Sequence, residues 1–269
     1  MILVTSVIGV LGMIVLPILL GFWLTRKFKL SWKLFLAGAL TFIASQVLHI
    51  PFLQLLTAMF KNGTLPSPPE AWKTIFNAIL LGLLAGIFEQ TARYILFKFF
   101  LKKARAWKEG VLVGAGHGGV EAMILGALGV FTIINMVILR NADLSAMGIP
   151  AGQLELTKQQ VTAFWASPAY TGLLGFVERV FAISLQISLS VMVLYSITNN
   201  KPLWFWIALF WHALVDGVTV FLAVQGMGAL ILEGIVGIFA IISLWIIFAL
   251  QPKFHQHTIE PSEQGGVAT

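Results

Sequence analysis

The chain has 269 residues, of which 58% are hydrophobic and only 10% are charged, and its mean hydropathy is +0.92. A soluble domain carries about 25% charged residues, so this composition excludes a soluble globular protein and indicates a helical membrane protein. The chain has no cysteine, which excludes disulfides, thiolate catalysis and cysteine-ligated metals. A net charge of +6 would suggest nucleic-acid binding in a soluble protein, but here the basic residues flank apolar segments, as membrane orientation requires.

Seven apolar segments are long enough to cross a bilayer, which takes about 20 residues. The first segment lacks a basic leader and a small-residue cleavage site, so we interpret it as a retained span. We therefore predict an all-α, polytopic transmembrane helix bundle. In chain order the predicted spans are Ile2–Thr25, Trp32–Met59, Trp72–Phe100, Val111–Leu139, Pro168–Ile197, Leu203–Val224 and Ala229–Leu250.

Basic residues between the spans are distributed unequally over the two sides. Four lie on one side, namely Lys61, Lys73, Arg140 and Lys158. Eleven lie on the other, namely Arg26, Lys27, Lys29, Lys33, Lys98, Lys102, Lys103, Arg105, Lys108, Lys201 and Lys253. Because cytoplasmic loops carry the excess of lysine and arginine, the N-terminus is predicted outside and the C-terminus in the cytoplasm.

The long connection lies on the predicted outer side, from Arg140 to Ser167. Within it, Thr157–Ala166 is expected to form a short interfacial helix. We find no repeat and no boundary within the spans, so residues 1–250 are predicted to form one transmembrane domain. The polar, glycine-containing tail 251–269 is predicted to be disordered.

Ionisable side chains within the spans are costly at membrane depth and usually mark a working site. Three pairs stand four residues apart and so share a helix face, namely Glu89/Arg93, His117/Glu121 and His212/Asp216. Lipid exposure of so many charges is prohibitive, so they are expected to face one another. The full set is His49, Glu89, Arg93, His117, Glu121, Glu178, Arg179, His212, Asp216 and Glu233.

Depth along the helices groups these residues further. At about 1.5 Å per residue, the central polar residues of four spans lie roughly 13–20 Å from the residues that mark the predicted cytoplasmic boundary. These are Glu89, His117, Gln186 and His212. We therefore predict that Glu89, His117 and His212 share one cavity, and that it opens toward the cytoplasmic half.

The fourth span carries the most unusual segment, Gly114–Ala122, in which four glycines accompany His117 and Glu121. Glycines allow a neighbouring helix to approach closely. A tight helix crossing with an internal histidine–glutamate hydrogen bond is the alternative to a functional site.

Carboxylate and imidazole groups together suit the activation of a water molecule. His212 with Asp216 resembles a pair in which the carboxylate orients the imidazole. A zinc site built from His117, His212 and Glu121 is an alternative, because two histidines and a carboxylate are common zinc ligands.

At these positions the chain resembles the YhfC family of bacterial membrane proteins, within the broad group of CAAX prenyl endopeptidases, PrsW-type proteases and the Aph subunit of gamma-secretase. Glu89 and Arg93 match the second glutamate and the arginine of that group's Glu-Glu-x-x-x-Arg motif, while Phe88 replaces the first glutamate. His117 matches the histidine that ends the next motif. The last motif, His-x-x-x-Asn or Asp, is matched by His212 and Asp216. The resemblance extends over nearly the whole chain and includes Ser45–Pro51, Phe88–Arg93, Gly116–Ala122, Glu178–Arg179 and His212–Asp216.

The resemblance implies an intramembrane endopeptidase of the bacterial plasma membrane that acts on a membrane-embedded protein or peptide. Glu89 and His117 are expected to activate water, and His212 with Asp216 to stabilise the oxyanion. This reading needs no metal and no nucleic acid. Zinc is the alternative cofactor, because related families have been described as metalloproteases.

One departure concerns Gln186, since relatives tend to carry a histidine there. Glutamine donates a hydrogen bond but neither titrates nor serves as a usual zinc ligand. This substitution weighs against a three-histidine metal site.

The remaining polar residues are assigned supporting roles. Arg93 is expected to be structural and to contact Glu89, Glu178 or backbone carbonyls. Glu178 is expected to pair with Arg93 or Arg179. The supporting set is Arg93, Glu121, Glu178, Gln186 and His49.

Two further functions have to be weighed against a peptidase. Buried carboxylates and histidines also relay protons in transporters, but the inverted repeats typical of transporters are not visible. A catalytically silent scaffold is the other, as the resemblance to Aph allows.

Overall fold

The structure, a computed structural model, describes residues 1–148 and 150–255. Over these ranges all regular secondary structure is helical, and no strand is present. Seven of the helices are long and apolar enough to cross a membrane, so the predicted all-α, seven-span bundle is confirmed. The helices are α1 Ile2–Phe28, α2 Trp32–Lys61, α3 Glu70–Ile95, α4 Trp107–Leu139, α5 Ala151–Ala166, α6 Thr171–Thr198, α7 Leu203–Val224 and α8 Ala229–His255. A π-helical turn, Leu96–Phe100, continues α3.

Local chemistry fixes several of the helix ends. Lys29 ends α1 in the left-handed region at φ 53°, with its backbone N–H directed at the carbonyls of Thr25 and Arg26. Ser31 then caps α2, because its hydroxyl accepts from the backbone N–H of Lys33. A turn of three residues therefore joins the first two spans.

Helix α5, predicted as an interfacial helix, begins at Ala151, earlier than the predicted Thr157, and ends at Ala166 as expected. It is fastened to the end of α4 by Trp165, whose indole N–H donates to the carbonyl of Met136 at 3.1 Å. The guanidinium of Arg140 lies 4.0 Å from the centre of the Trp165 ring, within the range of a cation–π contact.

The last helix continues to His255, past the predicted start of the polar tail at Gln251. The remainder of that tail, 256–269, lies outside the described residues. The division of the chain into one transmembrane domain, 1–250, and a disordered tail stays a prediction.

Helix α4 lies at the centre of the bundle, because its glycines allow three neighbours to approach. A Cβ atom at Gly116 would overlap the carbonyl oxygen of Phe35 on α2, and one at Gly114 would lie 2.5 Å from the Cα of Ile187 on α6. Gly126 faces α1 in the same way. Because its neighbours pack this closely against α4, His117 lies in the interior of the bundle and is fully buried. The predicted close approach at this segment is confirmed.

A second close crossing joins α3 and α7. Gly82 faces the backbone of Ala213 and Gly217, while Gly86 faces the carbonyl of Leu209. The contacts run in opposite directions along the two chains, so α3 and α7 are antiparallel. This crossing places the polar residues of α3 beside those of α7.

The spans alternate in direction, so their ends define two sides. We call the side of loops 29–31, 101–106 and 199–202 the basic side. The opposite side carries loops 62–69, 167–170 and 225–228. Which of them faces the cytoplasm stays a prediction.

We expect Gly116→Ala to destabilise the protein by roughly 1–3 kcal/mol, because the added methyl group forces α2 and α4 apart. The matched control is Gly234→Ala in α8, where no atom lies within 4 Å of an added Cβ. Thermal unfolding of the purified protein in one detergent measures both. Equal melting temperatures for the two variants would contradict the packing described here.

The predicted orientation is testable with single cysteines, because the chain has none of its own. Ser67→Cys lies on the opposite side and Lys103→Cys on the basic side, and both positions are exposed. In intact cells, a membrane-impermeant maleimide is expected to label the cysteine at 67 and to leave the one at 103 unlabelled until the cells are opened. The reverse pattern would invert the topology.

Candidate active site

One carboxylate oxygen, Oε2 of Glu89 on α3, is the point at which four helices converge. His117 Nε2 of α4 lies 3.0 Å from it, and the Gln186 amide of α6 donates to it at 3.3 Å. Arg93, one turn along α3, contributes a guanidinium nitrogen at 3.4 Å. His212 Nε2 of α7 lies 3.9 Å away. Glu89, His117 and His212 therefore lie together, although the prediction that all three line one cavity holds only for Glu89 and His212.

The other carboxylate oxygen of Glu89 is held from α2. Gln46 donates its amide N–H to Oε1 at 3.2 Å, and the same nitrogen lies 3.5 Å from the hydroxyl of Ser45. Glu89 is only 5% exposed, so these donors replace the water that a buried carboxylate loses. Five helices thus contribute to one anionic group.

His212 is held at both ring nitrogens. Its Nε2 lies 3.3 Å from Asp216 Oδ2 one turn along α7, so the predicted histidine–carboxylate pair forms. Its Nδ1 lies 2.8 Å from the amide nitrogen of Gln90. Gln90 was not among the predicted site residues. The sequence does show an uncharged polar residue next to Glu89 inside a span, but such a residue is not ionisable and so does not stand out among the charged side chains.

A second ionic cluster lies beside the first. Arg179 of α6 is placed between Glu121 of α4, at 2.6 Å, and its neighbour Glu178. The expected pairing of Glu178 with Arg179 is therefore confirmed. Gln186 connects the two clusters, since its amide nitrogen also donates to Glu121 at 2.8 Å while its carbonyl accepts from Arg93.

Arg93 contacts Glu89, as expected for a structural guanidinium. It is completely buried, and its Nε and Nη1 atoms have no hydrogen-bond partner among the residues that the structure describes. The interaction with Glu89 and Gln186 therefore carries most of the compensation for burying this charge.

A cavity of about 360 Å³ lies next to the two clusters. Its polar lining includes Glu89, His212 and Asp216, whereas His117 lies behind Glu89 and does not reach it. Its apolar walls come mainly from α3, α6, α7 and α8. They are formed by Leu81, Ala85, Phe181, Ala182, Leu185, Val215, Val220, Val236, Phe239 and Ala240.

The direction of the cavity differs from the prediction. From His212 its lining follows α7 through Thr219 to Val220, and on α8 it reaches Val236, so it extends toward the opposite side and not toward the basic side. The expectation of a cavity on the basic, predicted cytoplasmic half is therefore wrong. The physical reason is that the basic-side half of the bundle is filled by closely packed side chains, among them Leu112, Leu189 and Met192, each fully buried.

Two weaker candidates occupy the edge of the site. His49 of α2 lines the cavity and stacks on Phe88 with ring centres 5.2 Å apart. Neither of its ring nitrogens has a hydrogen-bond partner within the described part of the chain. Glu233 of α8 is half-buried and does not line this cavity.

A zinc ion would need ligand atoms about 2.0–2.2 Å away from it, and the side chains around Glu89 do not provide such a set. The carboxylate beside both histidines is Glu89, not the predicted Glu121, whose oxygens contact Arg179 and Gln186. No group of three or more histidine, aspartate or glutamate side chains within residues 1–148 and 150–255 is arranged to hold a metal.

Two features of the surroundings also disagree with zinc. The Arg93 guanidinium and the Gln186 amide both point at Glu89 Oε2, the oxygen that a metal would need. A zinc-bound histidine usually donates its second N–H to an acceptor, yet His117 Nδ1 is buried without one in the described residues. As arranged, the site does not fit zinc.

Comparison with known proteins identifies the family. Residues 12–240 match the family described as YhfC intramembrane metalloprotease. The chain belongs to this family. It is also 34% identical over 243 residues to the uncharacterized membrane protein YhfC of Bacillus subtilis (strain 168), covering 87% of this chain and 91% of that one. No solved structure matches the chain.

Membership in the YhfC family confirms the resemblance drawn from the motifs. With seven apolar spans and a bacterial membrane protein as relative, the chain is a multi-pass bacterial membrane protein. The family description supports a peptidase of the membrane interior. Its reference to a metal disagrees with the arrangement of the residues around Glu89.

We expect Gln186→Leu to lower the free energy of unfolding by about 2–4 kcal/mol, because Arg93 loses an acceptor and Glu121 loses a donor in a buried setting. The control is Gln160→Leu, at an exposed position of α5. Denaturant titration in micelles compares the two. If Gln186→Leu is as stable as the wild type, the connecting role assigned to Gln186 is wrong.

Proposed function

We propose that this YhfC-family protein is an intramembrane endopeptidase in which Glu89 activates the attacking water without a metal. The observation that supports the proposal is the position of Glu89: a buried carboxylate at the wall of an apolar cavity, with the His212 imidazole facing the same space. A carboxylate base and a hydrogen-bond donor side by side are what hydrolysis of a peptide bond requires.

The separation of the two groups suits this chemistry. Glu89 Oε2 and His212 Nε2 are 3.9 Å apart, so a single water oxygen in the cavity can lie within hydrogen-bond distance of both. Glu89 removes a proton from this water while the water oxygen forms a bond to the peptide carbonyl carbon. His212 donates to the resulting oxyanion. Glu89 then returns the proton to the amide nitrogen, the C–N bond breaks, and a carboxylic acid and an amine leave.

We assign His117 a role that differs from the one expected from the sequence. It bonds directly to Glu89 at 3.0 Å and does not line the cavity, so it is placed to orient the carboxylate and not to hold the water. Arg93 and Gln186 act on the same oxygen. Asp216 orients His212 in the same manner from one turn away.

The cavity also indicates the substrate class. Its walls are mostly apolar, as in Phe181, Leu185 and Phe239, and they suit the side chains of a membrane-embedded segment. Because the cavity extends toward the opposite side, the scissile bond is expected to approach from that half of the bundle. The lipid bilayer and such a protein or peptide are the proposed partners.

The alternative is a zinc-dependent peptidase, which the description of the family favours. It would use Glu89, His117 and His212 as ligands and would require Arg93 and Gln186 to move away from Glu89. A proton-coupled transporter and a silent scaffold are the remaining alternatives, and neither is supported by the family description.

Glu89→Gln is expected to reduce cleavage by roughly 10²–10⁴-fold, because the amide cannot accept the proton of water. The control is Glu155→Gln, at an exposed position of α5. Cleavage is measured in proteoliposomes with a library of fluorogenic transmembrane peptides. Full activity of Glu89→Gln would remove Glu89 from the mechanism.

The same preparation separates the two catalytic types. Activity that survives an excess of chelator in protein with no stoichiometric metal supports the glutamic type. Stoichiometric zinc, with activity lost on chelation and restored by zinc, would overturn it. Absence of cleavage across the whole library in folded wild-type protein would favour the scaffold.

A further inference from the structure

Gln90 is a neutral residue at the centre of the bundle with no exposed surface. It follows Glu89 on α3, but its side chain points to α7, where its amide nitrogen lies 2.8 Å from His212 Nδ1. An amide nitrogen only donates, so the ring nitrogen that faces it has to accept. With the amide in this orientation, His212 Nδ1 carries a lone pair.

The other side of the ring gives the same answer independently. His212 Nε2 faces Asp216 Oδ2 at 3.3 Å and Glu89 Oε2 at 3.9 Å. Ionised carboxylates only accept, so Nε2 has to donate. A neutral imidazole has one N–H, and only the form with the proton on Nε2 satisfies both sides.

The reverse tautomer is unfavourable at both ends. A proton on Nδ1 would face the Gln90 N–H, while the Nε2 lone pair would face two carboxylates. In a low-dielectric interior such mismatches are costly, because a buried donor facing a donor, or an acceptor facing an acceptor, forms no hydrogen bond.

We propose that Gln90 is a positioning residue that fixes His212 in the Nε2–H tautomer and makes it a permanent hydrogen-bond donor to the cavity. His212 is then suited to stabilise an oxyanion, and unsuited to act as a base or as a metal ligand through Nε2. The catalytic consequence rests on the proposed function, whereas the tautomer itself does not.

Gln90 turned end for end would reverse the assignment. Its carbonyl would then accept from an Nδ1–H, and His212 would present a lone pair or a second proton at Nε2. In the structure the Gln90 carbonyl oxygen has no partner among the described residues. The observed orientation therefore leaves this acceptor unsatisfied, whereas the reversed orientation would leave the amide N–H groups unsatisfied. The two orientations predict different nitrogen spectra.

The test is ¹⁵N NMR of the imidazole groups in histidine-labelled protein in nanodiscs. The chain has 5 histidines, and the His212 signals are assigned by their loss in His212→Asn, or in His212→Gln if the first variant does not fold. We expect wild-type His212 to show a protonated Nε2 and an unprotonated Nδ1. A protonated Nδ1 in the wild type would overturn the proposal without any further variant.

Gln90→Glu supplies the matched change, because it keeps the shape of the side chain and replaces the donor by an acceptor. Nδ1 of His212 is expected to become protonated in this variant. Gln90→Leu removes the donor at Nδ1 but leaves Asp216 and Glu89 facing Nε2, so the Nε2–H tautomer is expected to remain the major form in this variant. The control, Gln159→Glu at an exposed position of α5, should leave the spectrum unchanged. An Nε2–H tautomer that persists in Gln90→Glu would show that Gln90 does not set it.

Cleavage kinetics separate this proposal from the proposed function. If His212 stabilises the oxyanion, Gln90→Glu lowers kcat about 10²-fold with little change in KM, because the interaction forms only in the transition state. A reversed tautomer with unchanged kcat would confirm the role of Gln90 and remove His212 from the chemistry. An unchanged tautomer with reduced kcat would overturn the proposal while leaving the proposed function intact.

Discussion

The burial of one negative charge, that of Glu89, is the constraint on which the arrangement of this bundle depends. An isolated carboxylate at membrane depth is unfavourable, and it is retained only where donors replace its hydration. Here His117, Gln186, Arg93 and Gln46 supply those donors from α4, α6, α3 and α2. Each donor is useful only if its helix is held at the correct distance. Packing and electrostatics are therefore coupled throughout the interior.

The glycines of α4 provide that distance. With side chains at Gly114 and Gly116, the neighbouring helices α6 and α2 would be pushed outward, and Gln186 and Gln46 would be carried away from Glu89. The same residues that allow close backbone contact thus hold the polar network together. In the same way, the close crossing of α3 and α7 at Gly82 and Gly86 holds His212 near Glu89.

Much of this could be predicted from the sequence, because membrane burial leaves strong signals. Apolar runs gave the spans, and spacing along them placed Glu89, His117 and His212 at one depth. Rotation about each helix axis and the distances between helices depend on packing, which a single sequence does not specify. Glu89 and His117, which were expected to activate water together, are therefore hydrogen-bonded directly to each other. The cavity lies on the other half of the bundle from the one expected, because packing decides where space remains.

Gln90 shows a second reason for incomplete prediction. An uncharged amide in a span is inexpensive compared with a charge, so it attracts little notice in a sequence. Its importance becomes visible only when its partner is known, since a donor next to His212 Nδ1 has a chemical meaning that the residue type lacks.

The depth of the cavity has a consequence for any transmembrane segment cut there. A peptide group within a membrane helix is already hydrogen-bonded to its own helix and is shielded from attack. Under the proposed mechanism, the segment has to unwind locally before its carbonyl can meet a water beside Glu89, and its freed backbone groups then need new partners. Thr219, His49 and Asp216 on the cavity wall are polar groups that offer them. Selection among substrates would then depend on how readily a helix comes apart at this level, more than on the identity of the side chains flanking the bond.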